Sequence, residues 1–491
     1  MQAEEFFKIT KFAKKFDKAT GRFTYSIRYK TRTAITPRTI AVAEAFGLGV
    51  DEFQEHVVYD NVELKIGPKD IVYITGSSGS GKSVLLRVLE KDLRGKAVNI
   101  SDVHVEPSKP LIGTVGKTVE RGLELLSRVG LNDAFLFVRR YDQLSDGQKY
   151  RYHIAKMIES GRQYWVMDEF CSTLDRDTAK IVAFNVQKLA RAQGKAVLAA
   201  TTHTDLFDDL RPSVQIHKGF GKEIQVKYYP NERTPRCSLV NEMRVEVGTR
   251  EDYKKLAGFH YRDSRGLVCA QKIFVLKRGN ELCGVIVYRS PPIHTYGRKA
   301  AFGRVLTIQE VNRDLTCIAR VVVHPKYRTI GLGVKLVRET LPLAGKPYVE
   351  TTAVMARYNP FFERAGMTKI AESKPARAIV EGVEKLRQLG FNPVFISSEK
   401  YNMQQLRNGS GKVKAVREVF KFVSKAGGIY RKRIAAVHQA YLTHKEFCDR
   451  VDDASLEKLA KMLRILGFLT QTKVYLFWKG PKIFTQVMER D

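Results

Sequence analysis

The sequence predicts an α/β fold, and three observations carry that prediction. From about residue 41 to 225, apolar strand-length runs alternate with amphipathic helix-length stretches, the pattern of a mostly parallel sheet covered by helices. A glycine-rich loop, GSSGSGKS from Gly76 to Ser83, joins one such strand, Ile71 to Ile74, to one such helix, Val84 to Leu93. Past residue 230 the alternation gives way to an α+β pattern and then to basic helical stretches. These breaks predict four segments: 1–40, basic, aromatic and β-rich; 41–230, an α/β domain; 231–374, an α+β domain; and 375–491, a basic, mostly helical region, winged-helix-like at its end.

In residues 1–40 aromatic and basic positions alternate, with Phe12, Phe16, Phe23, Tyr25 and Tyr29 among Lys11, Lys14, Lys15, Arg22, Arg28 and Lys30, and Thr20-Gly21 is a predicted hairpin turn. The same pattern serves two ends: phosphate neutralisation with base stacking, or a sheet with one buried aromatic face and one solvated basic face.

The loop Gly76-Ser77-Ser78-Gly79-Ser80-Gly81-Lys82-Ser83 fits G-x-x-x-x-G-K-[ST] in the strand–loop–helix setting that this template requires. Its glycines let successive N–H groups and the helix N-terminus point at phosphates, Lys82 adds a charge, and the Ser83 hydroxyl reaches Mg²⁺. Leu144 to Gln148, LSDGQ, follows, and then the apolar run Tyr164 to Met167 ends in Asp168-Glu169. This order resembles the ABC ATPases. The resemblance implies Asp168 and Ser83 at the Mg²⁺ ion and Glu169 polarising the attacking water. Ser172 to Asp175 would be the D-loop that meets the other copy of a dimer, His203 the switch histidine and Phe46 the ring stacked on adenine. It also implies a homodimer in which Ser145, Gly147 and Gln148 of one copy close over ATP held by the other. Lys82 and Leu144 lie only 62 positions apart, too close for the helical subdomain by which transporter ATPases grip a membrane partner. A shortened form of this kind suits an ATPase acting on a macromolecule.

After the 230 boundary, Val245 to Tyr261 predicts a strand then a helix, and Ile273 to Tyr288 a hairpin around Arg278-Gly279-Asn280. The strand Ile318 to Val323, a turn at His324-Pro325, and Arg328-Thr329-Ile330-Gly331-Leu332-Gly333 then open an amphipathic helix. With YNPFFERAGM further on, this resembles the GNAT acetyltransferases, whose loop of this pattern wraps the pyrophosphate of acetyl-CoA. The resemblance implies acetyl-CoA held by Val323 and residues 328–333. The position of that family's tyrosine acid is Phe362, which cannot donate a proton. Tyr358, one helical turn earlier, is the candidate substitute acid, the alternative being that it packs and the domain binds without acetylating; Glu310, Asp314 and His260 are candidate bases.

In the last segment helices are expected over Ala376 to Leu389, Val413 to Val423, Tyr430 to Leu442 and Ser455 to Leu466, with a strand at Thr472 to Phe477. Lys412, Lys414, Arg417, Lys421, Lys425, Arg431 and Lys432 accompany the lone acid Glu418, as a nucleic-acid contact or as a solvated face.

Composition narrows the class. With 84 Lys+Arg against 52 Asp+Glu, the 491-residue chain carries a formal charge of +32 and a pI near 9.8, which implies a polyanionic partner such as RNA or DNA. Six scattered cysteines form no C-x-x-C pair, and no apolar run reaches signal-peptide or membrane-span length, so a reduced cytoplasmic setting without membrane is expected. The whole order resembles an archaeal family of ABC-type ATPases fused to a predicted acetyltransferase domain. The expected function is a soluble ATPase coupled to acetyl-CoA-dependent N-acetylation of nucleic acid. A remodelling ATPase whose second domain only binds ligand, or a protein acetyltransferase acting on a basic or ribosomal partner, are the alternatives.

Overall fold

The computed structural model describes residues 7–17, 22–31, 35–49, 54–93, 95–131, 133–260, 269–354, 356, 359–409, 411–437 and 442–481. The chain forms two compact units: Met1–Gly266 with Ile273–Val285 and Val321–Leu336, and Leu267–Lys272 with Ile286–Arg320 and Val337–Asp491.

The first unit begins with β1 (Phe7–Asp17), β2 (Arg22–Thr31), α1 (Pro37–Phe46), β3 (Gln54–Leu64), β4 (Ile71–Gly76), α2 (Lys82–Asp92), β5 (Ala97–Asn99) and α3 (Val119–Arg128). It continues with α4 (Ala134–Phe137), α5 (Asp146–Glu159), β6 (Tyr164–Met167), α6 (Arg176–Gln193), β7 (Ala196–Thr201), α7 (Phe207–Leu210), β8 (Val214–Lys218) and β9 (Ile224–Tyr228). A six-stranded sheet has the order β5-β6-β7-β4-β8-β9, parallel throughout except for β9. Side chains of a strand alternate between faces, and both faces of β4 are buried. Ile71 and Tyr73 join the cluster of Leu125, Ile154 and Val182, while Val72 and Ile74 join that of Leu85, Tyr25, Ile27 and Tyr59. Coverage on both sides is why these strands read as uninterrupted apolar runs.

Two expected boundaries move. Residues 1–40 are not a separate segment, because β3 comes from beyond residue 40 and completes the antiparallel sheet β1-β2-β3. Tyr25 is buried there, donating to Asp92 Oδ2 at 3.1 Å, so its ring is packing against the core and does not meet bases. The Thr20-Gly21 turn lies outside the described residues. The break near 230 also fails to end the unit, since Ser238 donates to Asp209 through N (2.7 Å) and Oγ (2.6 Å), and Asn231 Nδ2 donates to the Lys69 carbonyl. Those bonds lead into β10 (Met243–Val247), α8 (Arg250–Ala257) and the hairpin of β11 (Ala270–Arg278) and β12 (Glu281–Arg289), with β10 antiparallel to β11.

The second unit contains α9 (Arg298–Phe302), α10 (Ile308–Asp314), β13 (Leu315–Val323), which runs on into the first unit, the C-terminal half of α11 (Leu332–Thr340), β14 (Tyr348–Ala353), α12 (Phe361–Arg364) and β15 (Thr368–Ser373). Helices α13 (Arg377–Gln388), α14 (Glu399–Arg407), α15 (Lys412–Val423), α16 (Gly428–Ala435), α17 (His444–Asp452) and α18 (Leu456–Leu469) follow, and then β16 (Lys473–Lys479). The expected winged helix is corrected: β16 inserts antiparallel between β14 and β15, pairing Phe477 with both Glu350 and Thr368. The six helices are therefore an insertion between two strands of one sheet, with their own core around Leu386, Phe420, Phe447 and Leu463. The helix expected over Tyr430 to Leu442 stops at Ala435, where Ala436 turns left-handed (φ 53°). Several of the basic residues of this region serve packing. Arg431 donates to the carbonyls of Leu442 and Ser424, Arg417 to that of Ala454, and Lys421 pairs with Asp452 as well as Glu418. Lys412 donates to Gln405 Oε1 at 3.1 Å.

Candidate nucleotide site

Parallel strands present their C-terminal ends along one edge, and β6, β7 and β4 are neighbours in that order. The register pairs Met167 with Ala199, and Thr75 with Thr201. The Thr202-His203 turn and the Gly76–Ser83 loop therefore start at the same level of the sheet, and the Asp168-Glu169 turn starts two residues below it on the neighbouring strand. Gly76 has φ 148°, and a Cβ there would lie 2.1 Å from the Lys218 carbonyl oxygen. Gly81 caps α2 with φ 102°, and a Cβ would lie 2.4 Å from Val58 Cγ1. Gly79, at φ 75°, faces open space. Ser77, Ser78 and Gly79 are exposed, Ser83 is half-buried, and the buried Ser80 Oγ has no partner among the described residues.

Lys82 is 8% exposed, and its Nζ donates to the carbonyls of Gly76 (2.8 Å) and Ser77 (2.7 Å). Burial lowers its pKa, against the opposing pull of Asp168 and Glu169, so the amine and both carboxylates share one field. Glu169 is exposed and left-handed (φ 48°), its N–H held by Asp168 Oδ1 at 3.0 Å at the end of the strand. His203 is half-buried; its N–H reaches Thr201 Oγ1 at 3.3 Å and its carbonyl accepts from Tyr73. In the LSDGQ loop Ser145 caps α5 with its N–H on Gln148 Oε1 (3.2 Å), and the Gly147 carbonyl accepts from Arg151 Nε (3.0 Å). Phe46 ends α1 with 77% of its surface exposed.

The residues that brace this loop are not marked by any motif. Tyr59 donates to the Gly81 carbonyl at 2.9 Å. Lys218, fully buried, donates to the carbonyls of Gly219 and Gly221 and lies 5.3 Å over the Tyr59 ring. Each is an ordinary strand residue in the sequence, with no local pattern to single it out.

No protein-family model matches the chain. Curated relatives do. Over 170 residues it is 31% identical to the cytochrome c biogenesis ATP-binding export protein CcmA of Gluconobacter oxydans, covering 31% of this chain and 77% of that protein. It is 27% identical over 227 residues to the methionine import ATP-binding protein MetN of Rhizobium etli, covering 38% of this chain and 62% of that one. Through its nucleotide module, the chain belongs to the ABC ATPases. Among solved structures, the dimeric post-hydrolysis ATP-binding cassette MJ0796 bound to ADP and Pi aligns at 21% identity and a TM-score of 0.31, covering 36% of this chain and 92% of that one.

An ABC ATPase binds ATP with Mg²⁺, and the residues here fit that ligand. Two of the three Lys82 donors are lent to loop carbonyls, a hydroxyl is buried without partner, and the glycine turn is open at Gly79. Among the described residues no helix of this ABC ATPase is long and apolar enough to cross a membrane.

The second predicted constellation is only partly assembled. In the first unit Arg328 turns inward: Nε donates to the Val323 carbonyl (3.1 Å), Nη2 to that of Phe259 (3.2 Å), and Nη1 lies 3.6 Å from Asp133 Oδ2. Burial lowers the pKa of this guanidinium. Thr329 is left-handed (φ 77°) and accepts from Asn185 Nδ2 at 2.7 Å. Ile330 and Leu332 are buried, Gly333 is half-buried, and Gly331 is exposed at φ 91° with nothing within 4 Å of a Cβ. Tyr358 lies outside the described residues. In the second unit Phe362 is buried against Phe361, ring centroids 4.1 Å apart. Glu310 is corrected as a base: it caps α10 through Thr307 and pairs with Arg304, and these hydrogen bonds hold its pKa down to about 2, leaving a weak proton acceptor. Asp314 pairs with Arg313 at 2.8 Å.

Proposed function

We propose that this ABC ATPase works as a homodimer in which ATP closure is coupled to acetyl-CoA-dependent N-acetylation of a nucleic acid. One phosphate loop and one LSDGQ loop per chain make two copies the smallest unit able to enclose ATP from both sides. Here Glu169 and His203 act on the γ-phosphate side, Ser83 and Asp168 hold Mg²⁺, and Phe46 offers an exposed ring to adenine.

The observation that carries the second activity is Gly331. Its neighbours Arg328, Thr329, Ile330 and Leu332 are anchored inward, which leaves an exposed stretch of glycine backbone at the mouth of α11. Close approach of phosphates to backbone N–H groups needs that openness. Since the Arg328 guanidinium is committed to Val323 and Phe259, the phosphate contacts fall to the amides of 329–333. A charge of +32 favours a polyanionic acceptor over a basic protein.

Incubating the full chain with labelled acetyl-CoA, ATP and purified RNA, DNA or protein fractions tests this reading. Label in RNA or DNA is expected, and Gly331→Glu should abolish it along with acetyl-CoA binding. Label confined to protein refutes the acceptor. Binding without any transfer favours the alternative that Phe362 raises, a remodelling ATPase with a ligand-sensing domain.

A further inference from the structure

Two loops of the nucleotide module are fastened to the Arg328–Gly333 loop by side chains that belong to neither phosphate site. Asp175 caps α6, accepting from Thr178 N at 3.2 Å, and lies 3.6 Å from Lys326 Nζ. Two residues on, Asp177 accepts from Lys326 Nζ at 2.7 Å, pairs with Arg278 Nη1 at 2.8 Å, and lies 3.3 Å from the Tyr327 hydroxyl. The Tyr327 hydroxyl donates its proton to Glu281 (2.7 Å), and Arg278 Nε donates to Glu242 (2.6 Å). Burial pushes the Asp177 carboxyl up, but hydrogen bonds from Lys326 and Arg278 outweigh it and hold it low. With side chains 19 to 29% exposed, the Asp177 pairs are screened less than surface pairs. Further along α6, Asn185 holds Thr329.

A second route starts in the LSDGQ loop. Arg151 donates to the carbonyls of Gly147 (3.0 Å) and Gly130 (3.4 Å), and Gly130 closes the turn that leads to Asp133, beside Arg328. The two routes meet at their origin, where a Cβ on Gly147 would lie 3.3 Å from Leu174 Cδ2. Ser172, Thr173 and Asp175 are exposed, so this run is open to a second copy of the chain.

We propose that Asp177 and Lys326 are the coupling pair by which nucleotide-driven rearrangement of the run Ser172–Asp175 changes the affinity of the Arg328–Gly333 loop for acetyl-CoA. The inference rests on the acyl-CoA reading of that loop. Coupling between binding sites is reciprocal, so acetyl-CoA changes nucleotide affinity by the same factor. Helix α6 is the rigid body that carries the shift, since Asp175 and Asp177 lie at its N-terminal turn and Asn185 two turns further.

The test is acetyl-CoA titration of the full chain with and without Mg²⁺ and the non-hydrolysable analogue AMP-PNP. In the parent the analogue should change acetyl-CoA Kd by at least about fivefold, the lower end for coupled sites. Asp177→Asn and Lys326→Met should each reduce that ratio below about twofold while leaving nucleotide-free acetyl-CoA binding within about threefold of parent. Hydrogen exchange at the amides of 329–333 should respond to the analogue in the parent and not in either variant. A merely structural pair would lower both affinities and keep the ratio. A parent ratio of one with both ligands bound, or an undiminished ratio in both variants, overturns the inference and leaves the acyl-CoA reading standing. Absence of any acetyl-CoA binding by the parent overturns both.

Discussion

Replacing Gly76 with alanine tests how the phosphate loop is held. The added Cβ would sit 2.1 Å from the Lys218 carbonyl oxygen, whereas such contacts do not occur below about 3 Å, so loop and strand must separate by about 1 Å. The Gly76 carbonyl is one of the two that hold Lys82 Nζ, at 2.8 Å, and a shift of that size breaks the bond. Strain at positive φ of about 1–3 kcal/mol adds to an overpacking cost of about 1–3 kcal/mol, giving about 2–6 kcal/mol in all. Gly79→Ala is the control for positive φ: at 75° it too is in a conformation that side chains rarely adopt, but its Cβ meets nothing within 4 Å. Thermal unfolding of the two variants should show Gly76→Ala melting lower than Gly79→Ala by several degrees, since about 1 kcal/mol corresponds to about 2–4 °C in a domain of this size. A 1 Å misplacement of a charge-positioning group should also cost about 100-fold in ATP hydrolysis. Equal melting of the two variants, or hydrolysis by Gly76→Ala within about threefold of parent, would refute the Lys218 contact as the constraint.

Glu169→Gln should retain ATP and shift the chain to a dimer in sizing experiments with Mg²⁺-ATP; a variant that stays monomeric under saturating ATP sinks the composite site. In the second unit Glu350, fully buried, accepts from Arg298 Nη2 (2.6 Å) and Nε (3.1 Å) and from the Tyr475 hydroxyl (2.8 Å). Glu350→Gln leaves the 7%-exposed Arg298 side chain without its anion, and should cost about 3–5 kcal/mol in denaturant unfolding of that unit. An unchanged midpoint would show that the carbonyls of Ile293 and Pro292, which also accept from Arg298, suffice.

The parts of the nucleotide site that were legible in the sequence are those where chemistry constrains residue type at short range. Gly76, Gly79 and Gly81 all adopt positive φ, which few other residues tolerate, and their spacing from Lys82 therefore survives as a pattern. Tyr59 and Lys218, which brace the same loop, act through a ring hydroxyl and a backbone carbonyl, and many residues could supply either. Strand β16 shows the same limit in the fold. Its sequence, KVYLFWK, reads plainly as a strand, but nothing local says that it returns to lie between β14 and β15 after six intervening helices. Strand partners are chosen by long-range burial, and Tyr475, Leu476 and Phe477 suit any half-buried sheet.

Arg328 shows why a motif can be present while its expected contact is not. A motif fixes spacing and leaves side-chain direction undetermined; the pattern R-x-x-G-x-G reads as a cation offered to phosphate, yet the guanidinium is spent on the carbonyls of Val323 and Phe259 with Asp133 nearby. Its removal should therefore disturb the loop's conformation rather than delete one point charge from a binding site. The same holds for Asp177, which in the sequence is an acid in the first turn of a helix, a placement that the helix dipole explains without any partner. Its partners Lys326 and Arg278 are more than a hundred residues away. On the proposal that ATP closure is linked to a second activity, the link would pass through contacts of this kind, each made by residues whose local sequence already has a sufficient and different explanation.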